Sequence, residues 1–291
     1  MEFKQGHMKP HLGIAALAAA LLMLWACPGF GGGLPITVSI VPQKYFVDRI
    51  GGDLVDVSIM VLPGAGPATY EPRPRQMAAL AKATLYFAVG VPFESVWLPR
   101  IEAANKNMRV VHTEMGIEKI PMAGKEKHGI LDPHVWLSPP LVKIMARNIL
   151  AALVEADPGN KTAYQENYDR FAGEIDALDV KIRDIFAKNT GNREFMVFHP
   201  AWGYFAKAYG LKQVPIEEQG KAPGPKGLAT LIDHAGARGI RVIFVQPQFS
   251  QKSAQTIARD IGGQVVKVDP LAYDWLDNLY QAAQAFEAAL K

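Results

Sequence analysis

Between Pro158 and Lys188 the chain has no internal proline, and Tyr168, Phe171, Ile175, Leu178, Ile182 and Ile185 recur at three- and four-residue steps. That period predicts one amphipathic helix. Asp157 and Pro158 mark its start, with Asp as the cap and Pro at the first helical position. At a 1.5 Å rise, about 30 residues make a rod of roughly 45 Å, longer than a small domain is wide. A chain with such a rod in its middle must build a body on each side of it.

Both sides carry the same alternation. Before the rod, ITVSIV (36–41), VDVSIMV, ATLYFAVG and MRVVHT read as strands, with QKYFVDRIGG, RQMAALAKA and FESVWLPRIEAAN as helices between them. A charged linker, MAGKEKHGI (122–130), precedes the helical LSPPLVKIMARNILAALVEA. After the rod, FMVFH, RVIFVQ and QVVKVD read as strands, with AWGYFAKAYG, PKGLATLIDHAGARG, SAQTIARDIGG and a last segment from Trp275 as helices. Val- and Ile-rich strands alternating with helices imply parallel sheets covered on both faces. The expected fold class is therefore α/β: two lobes, each a mainly parallel sheet flanked by helices, joined by one long rigid helix. In open α/β sheets ligands bind beyond the carboxyl ends of the strands, so two facing lobes would hold a cleft.

The N-terminus has a different composition. Lys4 and Lys9 lead into an apolar stretch from Leu12 to Cys27, which is too short for a bilayer span of roughly 20 residues. It has the charged and apolar regions of a secretory signal. Cys27, the only cysteine, follows directly in LWAC, which resembles a bacterial lipobox, although Trp25 is bulky for one. The expectation is a signal over 1–27 with lipid on Cys27, a flexible tether over 28–35, a first lobe over 36–157, the connecting helix over 158–189 and a second lobe over 190–291. Met8 is a plausible start. A single cysteine leaves no internal disulfide, so packing must supply the stability. A net charge of +3, spread along 291 residues without a basic run, gives no sign of nucleic-acid binding.

Chemistry-bearing residues gather at strand ends. His134 stands in LDPHVWLSPP, behind a proline and beside Asp132 and Trp136. His199 ends the strand FMVF before Pro200, and Asp269 ends QVVKV before Pro270. Two imidazoles and a carboxylate suit Zn²⁺, and also Mn²⁺ or Fe²⁺. A ligating imidazole needs an acceptor for its other N–H, and Asp132 is placed to serve. Taken singly, each residue also has an ordinary reading, since histidines pack in cores and Asp before Pro is common in turns.

At these residues the chain resembles a known family. DPHVWLSP, FHPAWGYFA, VIFVQPQFS and VDPL, together with IGGDLVDVSIMVLPG and TYEPRPRQM, are similar to the zinc- and manganese-binding solute receptors of ABC importers, the ZnuA/TroA type. The resemblance runs from about residue 36 to the end. It implies two lobes joined by a rigid helix with the metal between them, His134, His199 and Asp269 on three of four ligand positions, and delivery to a membrane permease driven by a cytoplasmic ATPase. It implies an exported protein in the periplasm or at the cell surface, lipid-anchored and monomeric, carrying zinc first and manganese or iron(II) otherwise.

One segment departs from the pattern. Where the family usually reads PGADPHTYEP, this chain reads PGAGPATYEP, with Gly66 for the aspartate and Ala68 for the first histidine. Alanine cannot bind metal. Gln43 is a candidate fourth ligand through its carbonyl oxygen, although a helix-start hydrogen bond accounts for it as well. Glu71 and His128 are weaker candidates. His112 and His234 read as structural or exposed, and Trp97, Trp136 and Trp202 as core. Two other functions remain open: an adhesion or interaction module on the receptor fold with weakened metal binding, and a metal-dependent hydrolase using the open position for water. There is no HExxH and no second metal cluster in the sequence to favour a hydrolase.

Overall fold

The computed structural model describes residues 1–2, 32–124, 129–188, 191–217, 223–249 and 251–291. Gly33–Lys291 forms one compact unit. Nearly all of the expected signal, Cys27, the first half of the tether (28–31) and His128 lie outside the described residues.

The first lobe contains β1 (Leu34–Val38), β2 (Val55–Ile59), β3 (Leu85–Ala88) and β4 (Arg109–His112), hydrogen-bonded in the order β2-β1-β3-β4. The second contains β5 (Glu194–Val197), β6 (Lys212–Pro215), β7 (Val242–Val245) and β8 (Gln264–Lys267), in the order β6-β5-β7-β8. Every pairing is parallel. The two lobes therefore share one topology, an internal repeat that the residues themselves do not display.

The helices of the first lobe are α1 (Val41–Gly51), α2 (Pro74–Ala79), α3 (Pro92–Ala104) and α4 (Pro139–Ala156). Then comes the rod, α5 (Lys161–Ala187), preceded by a 3-10 turn over Pro158–Asn160. At 27 residues it is about 40 Å long. The second lobe adds α6 (Gly203–Tyr209), α7 (Pro225–Arg238), α8 (Gln251–Asp260) and α9 (Trp275–Ala289). Proline opens α1, α2, α3, α4 and α7 within the first turn. Its missing N–H costs nothing there and its φ is already helical.

Tyr164, Phe171, Ile175, Leu178, Ile182 and Phe186 form the buried stripe of α5. They join a core that runs without a break from Val38 and Phe46 in the first lobe to Phe195, Phe244 and Phe286 in the second. A smaller cluster, including Ile243, Val245 and Ile257, covers the other face of the second sheet. Two indoles tie the lobes together: Trp136 Nε1 donates to Pro270 O at 2.7 Å, and Trp275 Nε1 donates to Trp136 O at 2.7 Å. One shared core and these cross-lobe bonds make the long helix a rigid connector. The charged linker begins and ends as antiparallel chain, with Met122 N donating to Ile130 O and Asp132 N to Ile120 O.

In each sheet the strand order reverses between the first and third strands, and the crevice at that point is where ligands enter such folds. The first lobe's crevice is filled. Gln43 Oε1 accepts from Ser39 N and Ile40 N, while its Nε2 donates to Ala88 O and Thr113 Oγ1. Gly90, at φ +79°, turns its N–H to the buried Glu94 carboxylate, which also takes Val89 N. Burial pushes the Glu94 carboxyl above the usual carboxylate range, against the lowering effect of those bonds, and neighbouring Glu114 adds to the rise. Between the ordinary pKa and the raised one, the folded chain holds a proton that the unfolded chain has lost. Stability therefore falls as pH rises through that window. Glu94→Gln is expected to flatten this part of the stability–pH curve, measured by urea unfolding at several pH values. An unchanged slope would remove Glu94 as its source.

Candidate metal centre

The second lobe's crevice is open. His199 follows β5 and Gln246 follows β7, the two strands that flank the reversal. Gln246 clamps the His199 backbone at both ends: its Oε1 accepts from His199 N at 3.3 Å and its Nε2 donates to His199 O at 2.7 Å. The imidazole stacks on Phe249, with centroids 4.9 Å apart and planes at 20°. Its Nδ1 lies 3.0 Å from Glu217 Oε1. Glu217 is buried, and it is placed by the edge strand β6 through a bond from its N–H to Phe198 O.

His134 comes from the segment between the linker and α4. Asp132 is fully buried and its Oδ1 receives both His134 N at 2.9 Å and His134 Nδ1 at 2.7 Å. The carboxylate thus shapes the turn and fixes the ring. Tyr204 on α6 donates its hydroxyl to Asp132 O and accepts Ile120 N, pinning the segment to the second lobe. Gly203 makes this approach possible, since a Cβ there would stand 2.5 Å from Asp132 Oδ2. His134 is 6% exposed and packs against Trp136. This is the purpose of the rigid frame around His134: the ring is held in place and aimed at a cavity.

The two imidazoles meet edge to face in the lining of that cavity, centroids 5.2 Å apart. In both rings Nδ1 faces a carboxylate. With Nδ1 donating to the carboxylate, the lone pair is on Nε2, and such an Nδ1–carboxylate pair is the usual outer support of a histidine metal ligand. Asp132→Ala is expected to lower metal affinity about 10- to 100-fold, through loss of that support. An isothermal titration showing the parental affinity would make Asp132 a structural residue only.

Asp269 is not assembled with the pair. It lines a neighbouring cavity, and only Gln248 and Leu271 border both. Its Oδ1 takes Gln248 Nε2 at 3.2 Å and Leu271 N at 2.9 Å. Among the described residues, no group of three His, Cys, Asp or Glu side chains is placed to hold a metal ion. Gln43, the candidate fourth ligand, is spent on the four hydrogen bonds of the first lobe's crevice and does not border the cavity; the helix-start role is the one it performs. Ala68 does border the cavity, and Gly66, Pro67 and Pro92 complete a first-lobe wall without donor side chains. Glu71 is exposed and does not line it. His112 is exposed beside Glu114, and His234 pairs with Glu194 at 2.8 Å. Trp136 and Trp202 are core.

Two parallel-sheet lobes on a rigid helix, with imidazoles converging in the cleft, define an α/β solute receptor of the kind that captures a small cargo between its lobes. A family model, the zinc-uptake complex component A, periplasmic (ZnuA), matches residues 36–289, and the chain belongs to that family. The chain is 30% identical over 282 residues to the high-affinity zinc uptake system protein ZnuA of Bacillus subtilis strain 168, covering 89% of this chain and 88% of that one. It is 29% identical over 224 residues to the manganese ABC transporter substrate-binding lipoprotein PsaA of Streptococcus mitis, 73% of this chain and 72% of that one. A crystal structure of ZnuA superposes with a TM-score of 0.85 at 43% identity, covering 89% of this chain and all of that one.

Proposed function

We propose that the protein is the extracytoplasmic solute-binding component of a metal ABC importer, capturing a divalent transition metal, zinc first, and handing it to a membrane permease. The observation that carries this reading is the pair of cleft-facing imidazoles, each with Nδ1 against a buried carboxylate. The metal is cargo, so the chain's work is to strip water from the ion and hold it. His134 and His199 supply nitrogen, a good match for Zn²⁺ and acceptable to Mn²⁺ and Fe²⁺. Asp269 lines the adjacent cavity, its Oδ1 engaged by Gln248 and Leu271 N. Membership of the family and the zinc and manganese relatives support the transport role. The relatives named as lipoprotein and periplasmic support export. A lipid on Cys27 and a monomeric state complete the proposal.

Metal-stripped protein titrated with Zn²⁺ is expected to take up one equivalent with no turnover of ester or phosphate substrates. Affinity falls as the buffer is taken from pH 7 to pH 5, because a protonated imidazole has no lone pair to give. Calorimetry across that range, with bound metal counted by elemental analysis, is the check. A flat profile would remove histidine ligation, and no uptake would remove the metal.

A further inference from the structure

We infer that Gln213 is a positioning residue for the metal site, tying the turn behind His199 to the carboxylate behind His134; the inference rests on the metal-receptor reading above. Gln213 lies on the edge strand β6 and is 7% exposed. A buried amide costs free energy unless it is bonded, so its partners show what it is for. Its Oε1 accepts Trp202 N at 3.0 Å, and its Nε2 donates to Pro200 O at 3.4 Å. Both partners belong to the turn that leads from His199 into α6. Gln246 holds His199 itself, from β7. The His199 arm is thus clamped by two glutamines, from the strands on either side of β5.

The same amide converges on Asp132. A Cβ on Gly203 would stand 2.5 Å from Asp132 Oδ2 and 3.1 Å from Gln213 Nε2, so both atoms approach one point over the Gly203 backbone. Asp132 is fully buried. Its Oδ1 takes both bonds from His134, while its Oδ2 has no hydrogen-bond partner among the described residues. A buried carboxylate oxygen is expensive to leave unbonded, and Gln213 carries the donor. The bond from Trp202 N fixes which end of the amide is oxygen, so the nitrogen is the end that nears Asp132. That nitrogen has two hydrogens, and its bond to Pro200 O is longer than the usual range. A small turn of the amide brings one hydrogen onto Asp132 Oδ2. Gln213 then holds the carboxylate from one side while His134 uses the other, and the two histidine arms are fixed relative to each other. Gly203 leaves the gap across which this happens.

The test is a double-mutant cycle of Gln213→Leu, Asp132→Ala and the two together. Each metal-stripped protein is titrated with Zn²⁺ by calorimetry and, separately, unfolded in urea without metal. Gln213→Leu is expected to weaken zinc binding about tenfold in the parent, the lower end for a residue that supports a ligand from outside. In the Asp132→Ala background the same change is expected to cost less than about twofold, because its partner is gone. Urea unfolding should show the same non-additivity. Gln213→Glu keeps the acceptor for Trp202 N and removes both donors; it is expected to follow Gln213→Leu, and serves in its place if the leucine variant does not fold. Equal losses of zinc affinity in the two backgrounds would overturn the inference, since Gln213 would then act without Asp132. So would an unchanged affinity on substitution in the parent, or coupling in urea alone, which would make the contact structural. A parent that takes up no zinc would overturn the receptor reading, and the positioning role with it.

Discussion

His199→Ala lowers the affinity of the chain from Gly33 onward for zinc by about a hundredfold or more, some 2.7 kcal/mol. The ring is the contribution of the second lobe's open crevice, and nothing nearby replaces it. Gln246 is committed to the His199 backbone through both its amide atoms, and Asp269 through its Oδ1 to Gln248 and Leu271 N. The fold should survive the change, because the backbone clamp from Gln246 does not involve the imidazole. Asp269→Asn is the contrast. It keeps an oxygen for Leu271 N and is expected to cost less than about tenfold, under 1.4 kcal/mol. Titration calorimetry of both variants, with a thermal melt to show that each is folded, gives the comparison. Equal losses would place Asp269 on the ion alongside the histidines. An unchanged affinity in His199→Ala would end the proposed site.

How far the site could be read from residues depended on whether its parts follow strong strands. His199 and Asp269 follow β5 and β8, whose apolar runs are plain, and His134 is framed by prolines. Glu217 was missed, and the cause is the strand that delivers it. KQVP (212–215) has a single aliphatic residue and ends in proline, so neither alternation nor β-branching marks it. It is an edge strand, and an edge tolerates proline because one side needs no N–H. The only available signal was the acidic pair Glu217–Glu218 after a valine-proline. Gln43 and Asp269 show the opposite difficulty. Their position in the chain is right for a cleft, but the sequence does not say which hydrogen bonds their side chains already make. The two-lobe α/β architecture and the rod were readable because both rest on periodicity. The first strand ends three residues before the expected Val41, since the helix start at Val41–Pro42 takes over the apolar run. The shared strand order of the lobes was invisible because topology is set by pairing, which leaves no local mark.

Phe286→Ala is expected to destabilise the folded chain by about 3–5 kcal/mol, the usual cost of emptying a buried aromatic site. Phe286 is fully buried on α9. It stacks on Phe195 of β5 at 4.4 Å and meets Phe244 of β7 at 4.6 Å, Trp202 at 4.9 Å and Phe205 at 5.4 Å. Four rings from three directions leave little freedom for the site to collapse, so the upper part of the range is expected. For a chain of this size each kcal/mol moves the melting temperature by roughly 2–4 °C, which places the drop near 10 °C or above. Because the core around Phe286 is continuous with that of the first lobe through α5, the loss should appear as one transition moved to lower temperature. Circular dichroism melts with scanning calorimetry resolve this. Two transitions, with only the later residues destabilised, would mean that the long helix separates the lobes energetically. The rigid cleft on which the histidine geometry depends would then need another source.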